Sequence, residues 1–190
     1  MPLASSLPLS EHFTSYELGA DKPEANNDIV TNLRETAAGL ERFRQVLQSR
    51  LQVNTPSHRN RGFRTPTEND DVGGSPTSDH VKGLSADFVA LDFPGDMIDA
   101  YQTLKNSGAL GDFDQVIFYP LKNYIHAGFD GSRKEFRVHF AEATGGTPVL
   151  GSNFAQQLGG AVTYAVRGNP VAAIALLAAV IFSLVALNRK

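Results

Sequence analysis

The chain has 190 residues, 17 of them basic and 20 acidic, for a formal net charge of -3. That length suits one domain with extensions, and the charge supplies no basic field to hold a nucleic-acid backbone, so no nucleic-acid partner is expected. There is no cysteine, which excludes disulfides and thiolate metal sites; any zinc must be held by His, Asp or Glu.

In chain order, the opening MPLASSLPLSEHF has neither a basic stretch nor a long apolar run, so no signal peptide is expected. After the cap-like Asn26, Asn27 and Asp28, apolar residues recur at helical spacing: Ile29, Leu33, Ala37, Leu40, Phe43 and Leu47. They predict an amphipathic helix facing a core. From NTPSHRNRGFR to DDVGGSPTS the sequence is too polar for a core and too long for a simple turn, the kind of loop that is either disordered or functional. ADFVALDF predicts a short strand, and DMIDAYQTLKN a second helix ending at Ser107 and Gly108. FDQVIFY and NYIHAGF, separated by PLK, read as a hairpin, and RVHFAEA as a further strand. The expected class is α+β, a small, mainly antiparallel sheet with flanking helices.

Beyond Gly145 the composition turns to Gly, Ser and Gln, as in a tether. The run VAAIALLAAVIFSLVAL, Val171 to Leu187, then carries no charge and no polar face. At about 1.5 Å per residue it spans roughly 25 Å, slightly short of a hydrocarbon core but within the range of a transmembrane helix, which the lack of a polar face favours over the alternative of a buried C-terminal core helix. The expected organisation is a domain over residues 1–142, a flexible tether over 143–169 and a C-terminal membrane anchor over 170–190, with lipid as the partner of residues 171–187. Arg167 on one side is nearly balanced by Arg189 and Lys190 on the other, so the flanking charges set no orientation.

The histidines divide by context. His12, His58 and His139 read most simply as surface or hydrogen-bonded structural residues. His80 ends a Gly/Ser/Thr loop and Asp87 opens a strand; His126 shares a strand face with Tyr124 and with Gly128, which leaves its imidazole room. Two histidines and a carboxylate on neighbouring strands can give zinc three ligands and leave the fourth position to water, the catalytic pattern. Spacing alone leaves a metal-binding pair and a hydrogen-bonded polar turn as alternatives for His80 and Asp87.

Their surroundings add to this. GFR at Gly62 to Arg64, then Asn69, VGGS at Val72 to Ser75, SDHVKGLSADF at Ser78 to Phe88, FDQVI at Phe113 to Ile117 and YIHAGF at Tyr124 to Phe129 follow one another in order. By these motifs, and by the opening LSEHFTSYEL, roughly residues 8–142 resemble the zinc peptidases that cut peptidoglycan stem peptides. These are the D-alanyl-D-alanine carboxypeptidases, the dipeptidases of vancomycin resistance and the L-alanyl-D-glutamate endopeptidases of phage endolysins, whose zinc-bearing fold is shared by the hedgehog signalling domain. Ser78, His80, Gly83, Asp87 and Tyr124-Ile125-His126 match the family's motif, while Ser85 stands in its alanine position and Ala86 one place on.

The resemblance implies that His80, Asp87 and His126 are zinc ligands. It implies that Arg64 binds the substrate carboxylate or the oxyanion, and that Ser78 belongs to the substrate-binding set. Bound zinc would lower the pKa of water to about 7 and polarise the scissile carbonyl. One position departs from the family: where a general-base Asp or Glu commonly stands, three residues before the last ligand histidine, this chain has Asn123. Asparagine cannot take a proton from water, and a positioned base contributes typically about 10²- to 10⁴-fold. Asp79, Asp112, Asp114 and Asp130 are near in sequence; Asp130 lies roughly 13 Å along the strand from His126 at about 3.3 Å per residue. The expected function is thus a membrane-anchored zinc metallopeptidase acting on peptidoglycan stem peptides, in the setting of a phage lytic or virion-associated protein at the host inner membrane, periplasm or virion membrane. The alternative is a zinc-binding module of the same fold, weakened at Asn123, that holds cell-wall peptide or serves a structural role.

Overall fold

The computed structural model describes residues 4, 7–111, 113–120, 122–129 and 135–138. Helix α1 (Ser15–Leu18) is a single turn closed by a capping box between Thr14 and Glu17. Helix α2 (Asn27–Leu47) starts where the sequence signals it: Asn26 accepts a hydrogen bond from the Ile29 amide, satisfying a donor the helix cannot. Its buried stripe is Leu33, Thr36, Ala37, Gly39, Leu40, Phe43 and Leu47. Helix α3 (Pro66–Asp71) lies inside the long polar segment, with Thr65 and Glu68 forming a capping box and Pro66 at the first turn. Helix α4 (Met97–Ser107) is capped by Asp96 and ends at Gly108 in the left-handed conformation, φ 69.

The sheet has five strands: β1 (Leu51–Gln52), β2 (Ser85–Ala90), β3 (Gln115–Tyr119), β4 (Tyr124–Gly128) and β5 (Glu135–Val138), in the order β1-β2-β4-β3-β5. The pairs β1–β2, β2–β4 and β3–β4 are antiparallel. Three of the four pairings are thus antiparallel, as expected, while β5 runs parallel to β3 and makes the sheet mixed. The expected strand RVHFAEA overlaps β5 at Arg137 and Val138, its remainder lying outside the described residues, and strand pattern carries no information on direction.

Alternation also divides the sheet chemically. Ala86, Phe88, Val116, Phe118, Ile125 and Ala127 are all at most 1 % exposed and form the core face with α2 and α4. Phe43 of α2 meets Phe88 at 6.0 Å between ring centroids, and Tyr101 of α4 stacks on Phe118 at 5.9 Å. Fully burying each such aromatic side chain stabilises the fold by roughly 2 kcal/mol. The opposite face carries Asp87, His126, Tyr124, Ile117 and Tyr119, aligned by the register Asp87↔His126↔Ile117 and Tyr124↔Tyr119.

Among the described residues no helix is long and apolar enough to cross a membrane. The expected tether and anchor, residues 143–190, lie outside the described residues, as do His139, Asp112 and Asp130.

Candidate metal centre

Three segments converge on the polar face of the sheet. Asp87 comes from the middle of β2, with His126 directly opposite on β4. His80 comes from a 3-10 turn, Asp79–Lys82, whose amide at His80 is capped by the Ser78 hydroxyl at 3.3 Å. Helix α2 pins that turn from the side: Thr36 Oγ1 donates to the Gly83 carbonyl and Asn32 Nδ2 to the Lys82 carbonyl, each at 2.9 Å. Gly83 is required where the turn presses on α2, because it has φ 74 and a Cβ there would stand 2.9 Å from the Ile29 carbonyl oxygen.

The segment around GFR closes the site. Arg61 and Gly62 donate their amides to Asn54 Oδ1 at 3.0 and 3.2 Å. The Phe63 amide bonds the Leu18 carbonyl at 2.8 Å, and the Arg61 carbonyl accepts from the Asp87 amide at 2.7 Å. Lys22, almost fully buried, donates to the Phe63 carbonyl at 2.7 Å and pairs with Glu68 at 2.6 Å. The loop is therefore clamped from three sides, which fixes what it presents: the Gly62 carbonyl toward His80 and the Arg64 guanidinium toward Asp87.

The ligand atoms are His80 Nε2, Asp87 Oδ1 and His126 Nδ1, all within 4.8 Å of one another. Nε2 of His80 stands 3.3 Å from Asp87 Oδ1 and 3.2 Å from His126 Nδ1, and His126 Nδ1 stands 2.8 Å from Asp87 Oδ1. Bonds of about 2.0–2.2 Å in a tetrahedral zinc site place ligand atoms about 3.3–3.6 Å apart, so two of the three separations lie at or close to that spacing. The donor chemistry fits as well. His80 Nδ1 donates to the Gly62 carbonyl at 2.8 Å, which leaves the Nε2 lone pair facing the cluster. Burial holds His80 below the ordinary imidazole value against the pull of Asp87, keeping it neutral as a ligand must be. Burial opposes ionisation of Asp87, but the imidazoles at Oδ1 overcome it and hold the carboxyl well below its usual range. Its other oxygen, Oδ2, accepts from Arg64 Nη2 at 2.6 Å.

The sequence-predicted residues thus separate. His80, Asp87, His126 and Arg64 are brought together. Ser78 touches the site through the backbone of His80, as a cap. Asn123 occupies the turn between β3 and β4, exposed and with φ 53. Asp79 is held in an ion pair with Lys82 at 2.8 Å. His12 bonds Glu41 at 2.9 Å and His58 bonds Ser57 at 3.0 Å.

Sequence reading missed Asn54 and Lys22, which carry no motif, and Tyr119. Counting parity back across the hairpin from His126 finds Tyr119. Its ring lies 5.0 Å from that of Tyr124, and both are half-buried on the ligand face. Burial and then the Asp87 charge raise the pKa of both phenols, so both keep their protons.

No curated protein matches this chain. A family profile, that of Peptidase M15, matches residues 11–128, a span holding all three ligand positions and Arg64. A match over more than half of the sequence, on a fold that assembles a His-Asp-His cluster able to hold zinc, shows that the chain belongs to the Peptidase M15 family of zinc metallopeptidases.

Proposed function

We propose that the protein hydrolyses amide bonds in peptidoglycan stem peptides, with His80, Asp87 and His126 holding zinc. The observation that carries this reading is the convergence of His80 Nε2, Asp87 Oδ1 and His126 Nδ1 on one sheet face. Zinc, when bound, supplies a Lewis acid and lowers the pKa of water. The chain's own residues do the rest. Arg64 holds the Asp87 carboxylate in one orientation and brings a guanidinium to the reacting centre, where developing negative charge needs a counter-charge. Ser78 keeps the His80 turn in place. Tyr119 and Tyr124 form a wall on which substrate lies, with protonated hydroxyls as hydrogen-bond donors.

The charge-free run Val171 to Leu187 supports a membrane anchor behind a tether over 143–169; the setting of a phage lytic or virion-associated protein at the host inner membrane, periplasm or virion membrane is proposed by family analogy alone. Asn123 favours a second reading, a zinc-bearing module that binds wall peptide with little turnover. Among the described residues the ligand cluster contains no carboxylate besides Asp87 that could serve as base.

The test measures zinc content and digestion of purified peptidoglycan together, with fragments identified by mass. The peptidase reading expects stoichiometric zinc and chelator-sensitive release of stem peptides, both lost in His80→Ala. Zinc without release, with activity appearing in Asn123→Asp, would establish the second reading. A protein that takes up no zinc would sink both.

A further inference from the structure

Ser85 opens β2 and is fully buried, yet its Oγ has no hydrogen-bond partner among the described residues. Buried hydroxyls are nearly always paired, and an orphan calls for an explanation. The residue lies two positions before Asp87, on the same face of the strand, with Gly128 as its cross-strand partner. The space left by the missing Gly128 side chain is taken from both sides. A Cβ there would stand 2.9 Å from His126 Nε2 and 3.1 Å from Ser85 Cβ. The imidazole and the serine flank the same glycine.

The two ligand histidines are mounted in opposite senses. His80 gives Nε2 to the cluster and donates Nδ1–H to the Gly62 carbonyl at 2.8 Å. His126 gives Nδ1 to the cluster, 2.8 Å from Asp87 Oδ1, and sets Nε2 over Gly128, the glycine that Ser85 also flanks. A ligand imidazole generally donates its second N–H to an acceptor that fixes its tautomer and ring plane. While His126 Nδ1 keeps its proton for Asp87, Nε2 carries only a lone pair. When Nδ1 is given to a metal, the ring proton must reside on Nε2 and needs an acceptor.

We propose that Ser85 Oγ is that acceptor, a positioning residue that fixes the His126 tautomer and aims Nδ1 at the metal. The inference rests on the reading of the cluster as a metal centre. In the metal-free site the hydroxyl and Nε2 are not in hydrogen-bond geometry; a turn of the ring as Nδ1 takes the ion would bring Nε2–H to the buried, unpaired Oγ.

The test compares the full chain with Ser85→Ala. Zinc affinity is measured by competition with a chromophoric chelator, and thermal unfolding is measured without metal. Loss of an outer partner of a ligand histidine costs about 10- to 100-fold in metal affinity, and that weakening is expected while the metal-free unfolding midpoint is unchanged or raised. In the zinc-loaded wild type, the His126 ring proton is expected on Nε2 by nitrogen-15 correlation spectra, and it should exchange faster with water in Ser85→Ala. Equal zinc affinities, or a metal-free midpoint that falls with the affinity, overturn the role of Ser85 while leaving the metal centre standing. A wild-type chain that binds no zinc overturns the centre and this inference together.

Discussion

Arg64 and Asp87 share the carboxylate between two tasks: Arg64 Nη2 holds Oδ2 at 2.6 Å while Oδ1 faces the two imidazoles. Both side chains are well buried, at 13 % and 4 % exposure. Removing one partner of such a pair leaves an uncompensated charge, at a cost of about 3–5 kcal/mol. Arg64→Ala is therefore expected to lower unfolding free energy on that scale and to weaken zinc binding at least tenfold, since it supports a ligand. Arg64→Lys should recover part of the stability but less of the zinc affinity, because a point charge lacks the planar fork. Denaturant titration and chelator competition on the same samples check this; unchanged values in Arg64→Ala would remove the residue from the support of the site.

The Lys22–Glu68 pair makes the fold sensitive to acid. Burial works against the charged form of Glu68, but the hydrogen bond from Lys22 and that from the Thr65 amide overcome it, so the folded carboxyl titrates below its ordinary value of 4.5. A depressed folded pKa contributes stability that is fully present above the unfolded value and is lost as pH falls through the folded one. Glu68→Gln should flatten the acid limb of a plot of urea midpoint against pH below about 4.5: its midpoint should fall furthest below wild type at neutral pH, where the ionised carboxylate contributes fully, and the two curves should converge in acid. Lys22→Met, which also strips the Phe63 carbonyl of its donor, should cost about 1.5–3 kcal/mol.

Gly128 is expected to tolerate no side chain while the site is intact. A Cβ there would press on His126 Nε2 and Ser85 Cβ, and the imidazole can give way only by turning Nδ1 off the cluster. Gly128→Ala should therefore lose zinc affinity by tenfold or more with only a modest fall in thermal midpoint. A large fall in stability with affinity retained would show that the strand moves instead of the ring.

On the core side, Gly39 lets the Phe113 ring lie against the α2 backbone, since a Cβ would come within 2.1 Å of Phe113 Cε2. Gly39→Ala gains helix propensity of about 1 kcal/mol but overpacks a ring that also stacks on Phe43 at 5.1 Å, so a net loss of about 1–2 kcal/mol is expected. Combining it with Phe113→Leu should be less damaging than the sum of the two singles, as read by a double-mutant cycle.

The sequence exposed whatever depends on local pattern. The α2 stripe from Leu33 to Leu47 and the stop of α4 at Gly108 follow from helical spacing and capping, and both stand in the structure. The pairing of His126 with Gly128 on one face followed from strand parity alone. Direction and anchorage were hidden, because they depend on contacts distant in sequence. Nothing in the residues around Arg137 says that β5 lies parallel to β3. Nothing in Asn54 or Lys22 says that they clamp a loop whose bonded residues lie 7 to 46 positions away. Helix α3 was legible and overlooked: Thr65-Pro66 with Glu68 spells a capping box inside a segment read only as irregular.

Asp87 and His126 are 39 residues apart and meet only because β2 and β4 pair in one register. A slip of a single residue would turn one of them into the core and set Phe88 or Ile125 in its place. The ligand set is complete only when this long-range pairing, of a kind that forms slowly in general, is in register, and a misaligned sheet would lack a third of the ligands. Zinc uptake would then act as a proofreading step on the strand alignment, drawing chains out of the misregistered population by mass action and making the metal as much a judge of the fold as a tool of its chemistry.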